Sequence, residues 1–232
     1  MGCCRRCGSC PVVRASALLW FEPLRSCGAY DLRVEQLPWR RTALLVFVFG
    51  AIAGWVIGSF AGRVEQCVLS AIKLPLLLLI AAVTCLPAFL AINTVLGLRQ
   101  DLRALLRAVM AAMAAFAVTL ASIGPVLAFA YMSVRDYSLA RMASGAAFAV
   151  ACIPAQIVFA EHFRPLRKRQ QQHGLALAAW SLLYCFVTFQ LAWLFRPFVG
   201  APSKPVQIFR DDAIGNAYVE VGGILRDWLL GL

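Results

Sequence analysis

Charged residues are scarce in this chain. Asp, Glu, Lys and Arg make up only 14% of the 232 residues, and five long segments contain none of them. Apolar residues reach 62%, and the mean hydropathy is +0.77, whereas ordinary globular domains are about half apolar. A soluble domain of this size exposes much of its surface to water, and too few polar residues are present here to cover it. The composition therefore excludes a soluble enzyme and indicates a protein embedded in lipid.

Histidine and buried acidic residues are also nearly absent. The only histidines are His162 and His173, which flank a basic connection. Haem b needs axial ligands inside the membrane, and intramembrane proteases need a base or paired carboxylates within a span. None of the five apolar segments supplies such groups, and the adjacent Glu161 and His162 at a span boundary are more typical of an interfacial cap. We therefore predict no catalytic residues and a non-enzymatic role.

The five apolar segments predict transmembrane helices, because each has about the 20 residues that a helix needs to cross hydrocarbon. We predict an all-α polytopic membrane protein in three parts, with short interfacial amphipathic helices. A cytoplasmic Arg- and Cys-rich lead (1–41) precedes a five-helix transmembrane domain (42–195), and an extracytoplasmic tail (196–232) follows. The predicted spans are 42–62, 74–98, 108–132, 142–160 and 174–195.

Lysine and arginine set the predicted orientation. Fourteen of the 22 fall in the lead and in the second and fourth connections, which predicts a cytoplasmic amino terminus and an extracytoplasmic carboxyl terminus. The formal charge of +11 then indicates lipid as the partner, and not nucleic acid, since no aromatic stacking platform accompanies it. The basic residues predicted to face lipid are Arg99, Arg103, Arg107, Arg164, Arg167, Lys168 and Arg169.

Two connections have the apolar periodicity of helices lying on the membrane surface. In residues 63–73 the polar positions, which include Gln66, Ser70 and Lys73, take the side opposite Val64 and its apolar neighbours. In residues 98–107 leucines and arginines separate in the same way. We predict a short amphipathic helix on the headgroups in each connection.

The first span carries a glycine every four residues, a stripe that lets a second helix backbone approach closely. The stripe predicts helix packing, either against another helix of this chain or against a second copy or subunit. Its members are Gly50, Gly54, Gly58 and Gly62.

Prolines lie inside three predicted spans and predict helix kinks; they are Pro87, Pro125 and Pro154. Polar residues in the spans could bond across to the carbonyls that proline frees or to one another; they are Asn93, Thr94, Ser122, Gln156, Thr188 and Gln190. One interpretation is a polar pathway through broken helices, as in transporters. Kinked helices held by polar contacts are the interpretation that we favour, because no ionisable residue lies deep in a predicted span.

The lead contains a cluster of cysteines with overlapping C-x-x-C spacing, followed by one more distant cysteine. Reduced cytoplasmic thiols in this pattern are candidate ligands for zinc. Structural zinc sites commonly use two separated pairs, and a second pair is absent, so an unstructured leader without any cofactor is an equal alternative. The candidate ligands are Cys4, Cys7, Cys10 and Cys27.

The last span ends in a distinctive sequence that predicts an aromatic and basic anchor at the outer interface, stopped by a proline and a glycine. The residues of this outer-interface motif are Trp193, Arg196, Pro197 and Phe198. Together with Gln190, Leu191 and Gly200, they resemble the ending of an uncharacterised group of bacterial multi-pass inner-membrane proteins. The five-pass plan is distantly similar to Yip1-type membrane domains. Neither resemblance implies a reaction or a ligand.

Three functions follow from these patterns. The glycine stripe, the basic interfacial segments and the lack of a catalytic set favour a non-enzymatic structural or accessory component that organises membrane partners or lipid, with self-association as an option. The alternatives are a small transporter or channel built on the kinked second to fourth helices, and a cysteine-based metal or redox sensor.

Overall fold

The computed structural model describes residues 39–97, 102–133, 136–169, 172–196 and 198–200, and these form helices joined by turns, with no strand among them. Five long α-helices follow one another, and a short 3-10 helix, Ser59–Ala61, comes after the first. All five are long and apolar enough to cross a membrane, so the predicted all-α fold with five spans is confirmed. They are α1 (Trp39–Gly58), α2 (Val64–Val95), α3 (Leu102–Ser133), α4 (Tyr137–Arg169) and α5 (Gln172–Leu194).

Most helices extend well beyond the apolar segments that predicted them. The helices α2, α3 and α4 contain 32, 32 and 33 residues, which corresponds to about 48–50 Å at 1.5 Å per residue. Such lengths exceed a hydrocarbon core of about 30 Å, so the helices tilt or project into the headgroup region. The predicted spans lie between charged residues, although a helix continues wherever its backbone remains hydrogen-bonded.

The prediction of two separate interfacial helices is wrong for the described residues. Residues 64–73 are the first ten residues of α2, and residues 102–107 begin α3, whereas 98–101 lie outside the description. In α2 the side chains of Gln66, Ser70 and Lys73 are buried in the bundle, while Val64, Val68 and Ile72 face outward. These polar side chains contact other residues of the same bundle and therefore do not need to face the lipid headgroups.

The five helices are arranged as a ring that is incompletely closed between α4 and α5. Around the bundle α5 packs on α2, α2 on α1, α1 on α3, and α3 on α4, whereas α4 and α5 make few direct contacts with each other. Phe89 of α2 meets Trp180 of α5 edge to face at 4.3 Å between ring centroids, and Tyr131 of α3 is hydrogen-bonded to Ser144 of α4 at 2.6 Å. The weak contact between α4 and α5 leaves one opening in the ring of helices.

Several predictions concern residues outside the described ranges. The lead through residue 38 and the tail from residue 201 are among them, as are Arg99 and Pro197. The proposed cysteine ligands therefore remain predictions.

Candidate functional site

The glycine stripe brings α1 onto α2 of the same chain. A Cβ atom at Gly54 would overlap the carbonyl oxygen of Ser70 and lie 2.8 Å from the Cα of Ala71. At Gly58 it would lie 2.7 Å from the carbonyl oxygen of Gln66, and at Gly50 it would lie 3.3 Å from the Cβ of Pro75. The two backbones are thus in direct contact, which requires glycine at positions 54 and 58.

The fourth glycine of the stripe has a different role. Gly62 has φ +67° and caps the 3-10 helix, where its N–H donates to the Ser59 carbonyl at 2.9 Å. No atom lies within 4 Å of a Cβ built there. The prediction of helix packing is therefore wrong at Gly62, because the chain has already left the helix and needs a left-handed residue for the turn.

A polar clamp, which we define as Gln66, Ser70 and the carbonyl of Phe198, ties the end of the described chain to α2. The Phe198 carbonyl oxygen accepts hydrogen bonds from Ser70 Oγ at 2.7 Å and from Gln66 Nε2 at 3.1 Å. The Tyr137 hydroxyl donates to the neighbouring carbonyl of Val199 at 3.4 Å. The residues following α5 thus turn back onto the bundle and cover the start of α2 and α4.

Removal of both clamp donors tests the contribution of these bonds to stability. The double variant Gln66→Ala, Ser70→Ala leaves the Phe198 carbonyl without them, and we expect a loss of about 1–3 kcal/mol in the free energy of unfolding. Thermal unfolding of purified protein in detergent, followed by circular dichroism, measures the effect. Ser122→Ala is the control, because Ser122 is exposed and bonds only the Val118 carbonyl of its own helix. Equal melting temperatures for both variants would contradict a stabilising clamp.

Lys73 is a buried basic residue, although the sequence predicts it to lie in the connection between the first and second spans. It lies in the third turn of α2 with 4% of its surface exposed, inside a helix long enough to span the membrane. The spacing of Gln66, Ser70 and Lys73 at i, i+4 and i+7 is the signal that could have placed all three on one buried face. The predicted second span begins after Lys73, whereas the structure places this residue inside the spanning helix α2.

A long cavity, here called the slot, fills the opening between α4 and α5. Its volume is about 580 Å³, within the range of small-molecule and cofactor sites. One face of α4 lines it from Tyr137 to Phe159, and one face of α5 lines it from Trp180 to Ala192. The α4 wall is about 33 Å long at 1.5 Å per residue. Leu77 and Leu78 of α2 and residues of α3 close its inner side.

The walls of the slot are mostly apolar. Phe116 of α3 and Phe148 of α4 have ring centroids 5.8 Å apart, and Trp180 stacks on Tyr184 at 5.9 Å. The Tyr184 hydroxyl donates to the Leu78 carbonyl at 3.2 Å. The polar group of Tyr184 therefore points towards α2, while the residue lines the slot. Such apolar walls favour contact with a hydrocarbon chain over contact with water.

The middle of the slot holds one polar pair. Ser181 Oγ donates to Gln156 Oε1 at 3.1 Å and so links α5 to α4. The Gln156 amide nitrogen lies 3.8 Å from the Cys185 sulfur. Cys152 and Cys185 both line the slot with free thiols.

Two arginines line one end of the slot. The Arg141 guanidinium lies 5.4 Å from the ring centroid of Tyr137. The Arg196 guanidinium lies 3.1 Å from the centroid of Trp193, and its Nε–H donates to the Trp193 carbonyl at 3.0 Å. The outer-interface motif therefore contributes to the slot through Arg196 and Phe198, a role that the sequence did not reveal.

Most of the polar residues proposed for a pathway do not come together. Asn93, Thr94 and Ser122 each donate to the carbonyl four residues earlier in their own helix, and none of these carbonyls is one that a proline frees. Gln156 and Thr188 line the slot, whereas Gln190 does not. The prolines at 87, 125 and 154 lie inside α2, α3 and α4, as does the additional Pro75 in α2.

Glu161 and His162 both make contacts within α4. Glu161 makes an exposed ion pair with Arg164 at 3.5 Å, and His162 Nδ1 lies 2.8 Å from the Val158 carbonyl oxygen. These contacts stay within α4, as the cap interpretation expects.

The fold and the slot define a multi-pass helical membrane protein with a lateral apolar cavity. Comparison with family models, with curated proteins and with solved structures found no match for this chain. The resemblance of its ending to a bacterial membrane-protein group therefore remains a prediction.

Proposed function

We propose that this protein is a non-enzymatic accessory component of a bacterial inner membrane that holds a lipid in the slot between α4 and α5. The observation that carries the proposal is an apolar cavity of about 580 Å³ between α4 and α5, which make the weakest contact of any two neighbours around the ring of described helices. An opening at this place faces the bilayer, so a lipid enters sideways without crossing water. A bound lipid supplies the packing that α4 and α5 do not supply to each other.

The dimensions of the slot suit an acyl chain. The acyl chain of one lipid spans about half of a hydrocarbon core of about 30 Å, and the α4 wall of about 33 Å is long enough to hold such a chain along its full length. Aromatic rings and small residues alternate along α4, where Gly145 and Ala149 lie on either side of Phe148. Such a surface accepts flexible hydrocarbon along its whole length.

The proposed placement has the amino terminus in the cytoplasm and the carboxyl terminus outside. Lys and Arg asymmetry among the connections supports it. In this orientation the end of the slot with Arg141 and Arg196 lies in the outer leaflet.

A membrane partner is also part of the proposal. The outward face of α1 presents large apolar side chains, among them Phe47, Ile52 and Trp55. The glycine stripe is occupied by α2, so the chain would use this or another lipid-facing surface to organise other membrane proteins or a second copy.

Native mass spectrometry after gentle extraction from the original membrane tests the proposed function. We expect each protein molecule to carry one lipid that survives purification, because about 580 Å³ of apolar space is costly to leave empty. Protein that emerges free of lipid from every mild detergent would contradict the proposal. A co-purifying membrane protein would identify the proposed partner.

Transport is the second candidate, because Gln156 and Ser181 form a polar contact in the middle of the slot and Lys73 is buried in α2. The two functions differ in the expected effect of Gln156→Ala. A lipid-holding protein keeps its bound lipid in this variant, because the apolar walls provide the binding energy. A transporter loses solute uptake into proteoliposomes while it keeps its fold.

A further inference from the structure

We infer that the slot selects a lipid with an anionic headgroup, which binds between Arg141 and Arg196. This inference rests on the proposed function, since it names the class of lipid that the same slot takes. Both arginines line one end of the slot, one on α4 and one just after α5. Among the described residues that line the slot, none is Asp or Glu.

The two arginines lie near neighbouring helix ends. Arg141 is in the first two turns of α4, about 6 Å along the axis from Tyr137, and Arg196 follows the last residue of α5. The hydrogen bond from Tyr137 to the Val199 carbonyl shows that these two helix ends lie side by side. A lipid whose chain follows the apolar walls would therefore place its polar head at this end.

Aromatic rings hold the guanidinium groups in place. The Arg141 group lies over Tyr137 and the Arg196 group over Trp193. Stacking of this kind reduces the conformational entropy that arginine loses on binding, and the planar fork matches the oxygens of a phosphate. The Nε–H of Arg196 is bonded to the Trp193 carbonyl, which further fixes the direction of the group.

Charge complementarity distinguishes an anionic headgroup from a zwitterionic one. Arginine near a helix end is common in membrane proteins and often only anchors the helix. Here both side chains line the same cavity, although Arg141 belongs to α4 and Arg196 lies just after α5. The phosphate of either kind of lipid would meet two positive charges. A choline or ethanolamine cation would bring a further positive charge to this end and would find no carboxylate among the described slot residues, whereas the glycerol of a phosphatidylglycerol adds no positive charge.

A titration with two lipids of equal chain length tests the inference. Delipidated full-length protein is mixed with phosphatidylglycerol or phosphatidylcholine, and native mass spectrometry gives the bound fraction for each. We expect wild-type protein to prefer phosphatidylglycerol by about tenfold, and the double variant Arg141→Gln, Arg196→Gln to lose that preference while it binds phosphatidylcholine as before.

Matched variants keep the test decisive. Arg164→Gln removes a charge from the opposite end of α4, outside the slot lining, and we expect it to keep the preference. Should the double variant fail to fold, each single variant is expected to lower the preference by about threefold. Equal binding of both lipids by wild-type protein, or a preference that survives in the variants, would overturn the inference and leave the proposed function standing. Binding of neither lipid would overturn the proposed function itself.

Discussion

Replacing Gly54 with alanine is expected to destabilise the protein by about 1–3 kcal/mol or more, the cost of overpacking a tight interface. The added Cβ would overlap the Ser70 carbonyl oxygen and lie 2.7 Å from the Ser70 carbonyl carbon. Both are backbone atoms, so no side chain can rotate away, and α1 would have to move off α2. Thermal unfolding in detergent and the yield of monodisperse protein measure the effect.

Gly50→Ala is the matched control for this prediction. It places the same substitution one turn earlier in the same helix, where the new Cβ would lie 3.3 Å from a side-chain carbon of Pro75. That contact is tight but relieved by a small shift, and alanine has a higher helix propensity than glycine. We therefore expect an unfolding temperature equal to or above that of wild type. Equal destabilisation by both substitutions would contradict the expectation that the backbone contact makes Gly54→Ala more costly than Gly50→Ala.

Filling the slot is expected to remove bound lipid without unfolding the protein. Gly145 of α4 lines the slot, and no atom lies within 4 Å of a Cβ built there. Gly145→Trp therefore places an indole ring in space that the lipid chain would occupy, and we expect the fraction of lipid-bound protein to fall about tenfold. Native mass spectrometry reports the lipid, and circular dichroism reports the fold.

A tryptophan on the outer surface is the control for this variant. Leu182 of α5 is 73% exposed and does not line the slot, so Leu182→Trp adds a ring of the same size to a lipid-facing surface. We expect it to retain lipid at the wild-type level. If the Gly145 variant also retained it, the lipid would bind elsewhere on the protein.

Composition was sufficient to predict the number and type of helices. Five uncharged segments of about 20 residues have few stable alternatives in a protein this apolar, because a backbone in lipid must satisfy its own hydrogen bonds. The helix ends were harder to predict, because α2 continues through Glu65 and Lys73. In the sequence, the charge of Lys73 indicates the start of the span. The burial of Lys73 depends on neighbours that the local sequence does not specify.

The glycine stripe illustrates how far a motif can be interpreted. Its spacing predicted a close helix contact, but both an internal and an external partner fitted it. Only the three-dimensional arrangement places Gly54 against Ser70 of α2. Gly62 continues the spacing, yet it serves a turn, because the α-helix ends at Gly58.

The slot itself could not be predicted from periodicity. Its α4 and α5 walls are ordinary apolar helix faces, and the sequence does not say that these two helices fail to pack tightly. Gln156 was named as a polar residue, but its partner Ser181 was not, because a contact between residues 25 positions apart requires the fold. The sequence does not single out Arg141, since its position in the same cavity as Arg196 depends on how two helix ends meet.

Photo-crosslinking with a lipid that carries a diazirine in its acyl chain tests most directly whether the slot is a lipid site. The protein is reconstituted in membranes containing this probe, irradiated, digested and analysed by mass spectrometry. We expect adducts concentrated on the slot walls, at positions such as Phe148 and Phe189, above the level on outward residues of α1 such as Ile52. Adducts spread evenly over all lipid-facing helices, with no excess in the slot, would contradict lipid binding there.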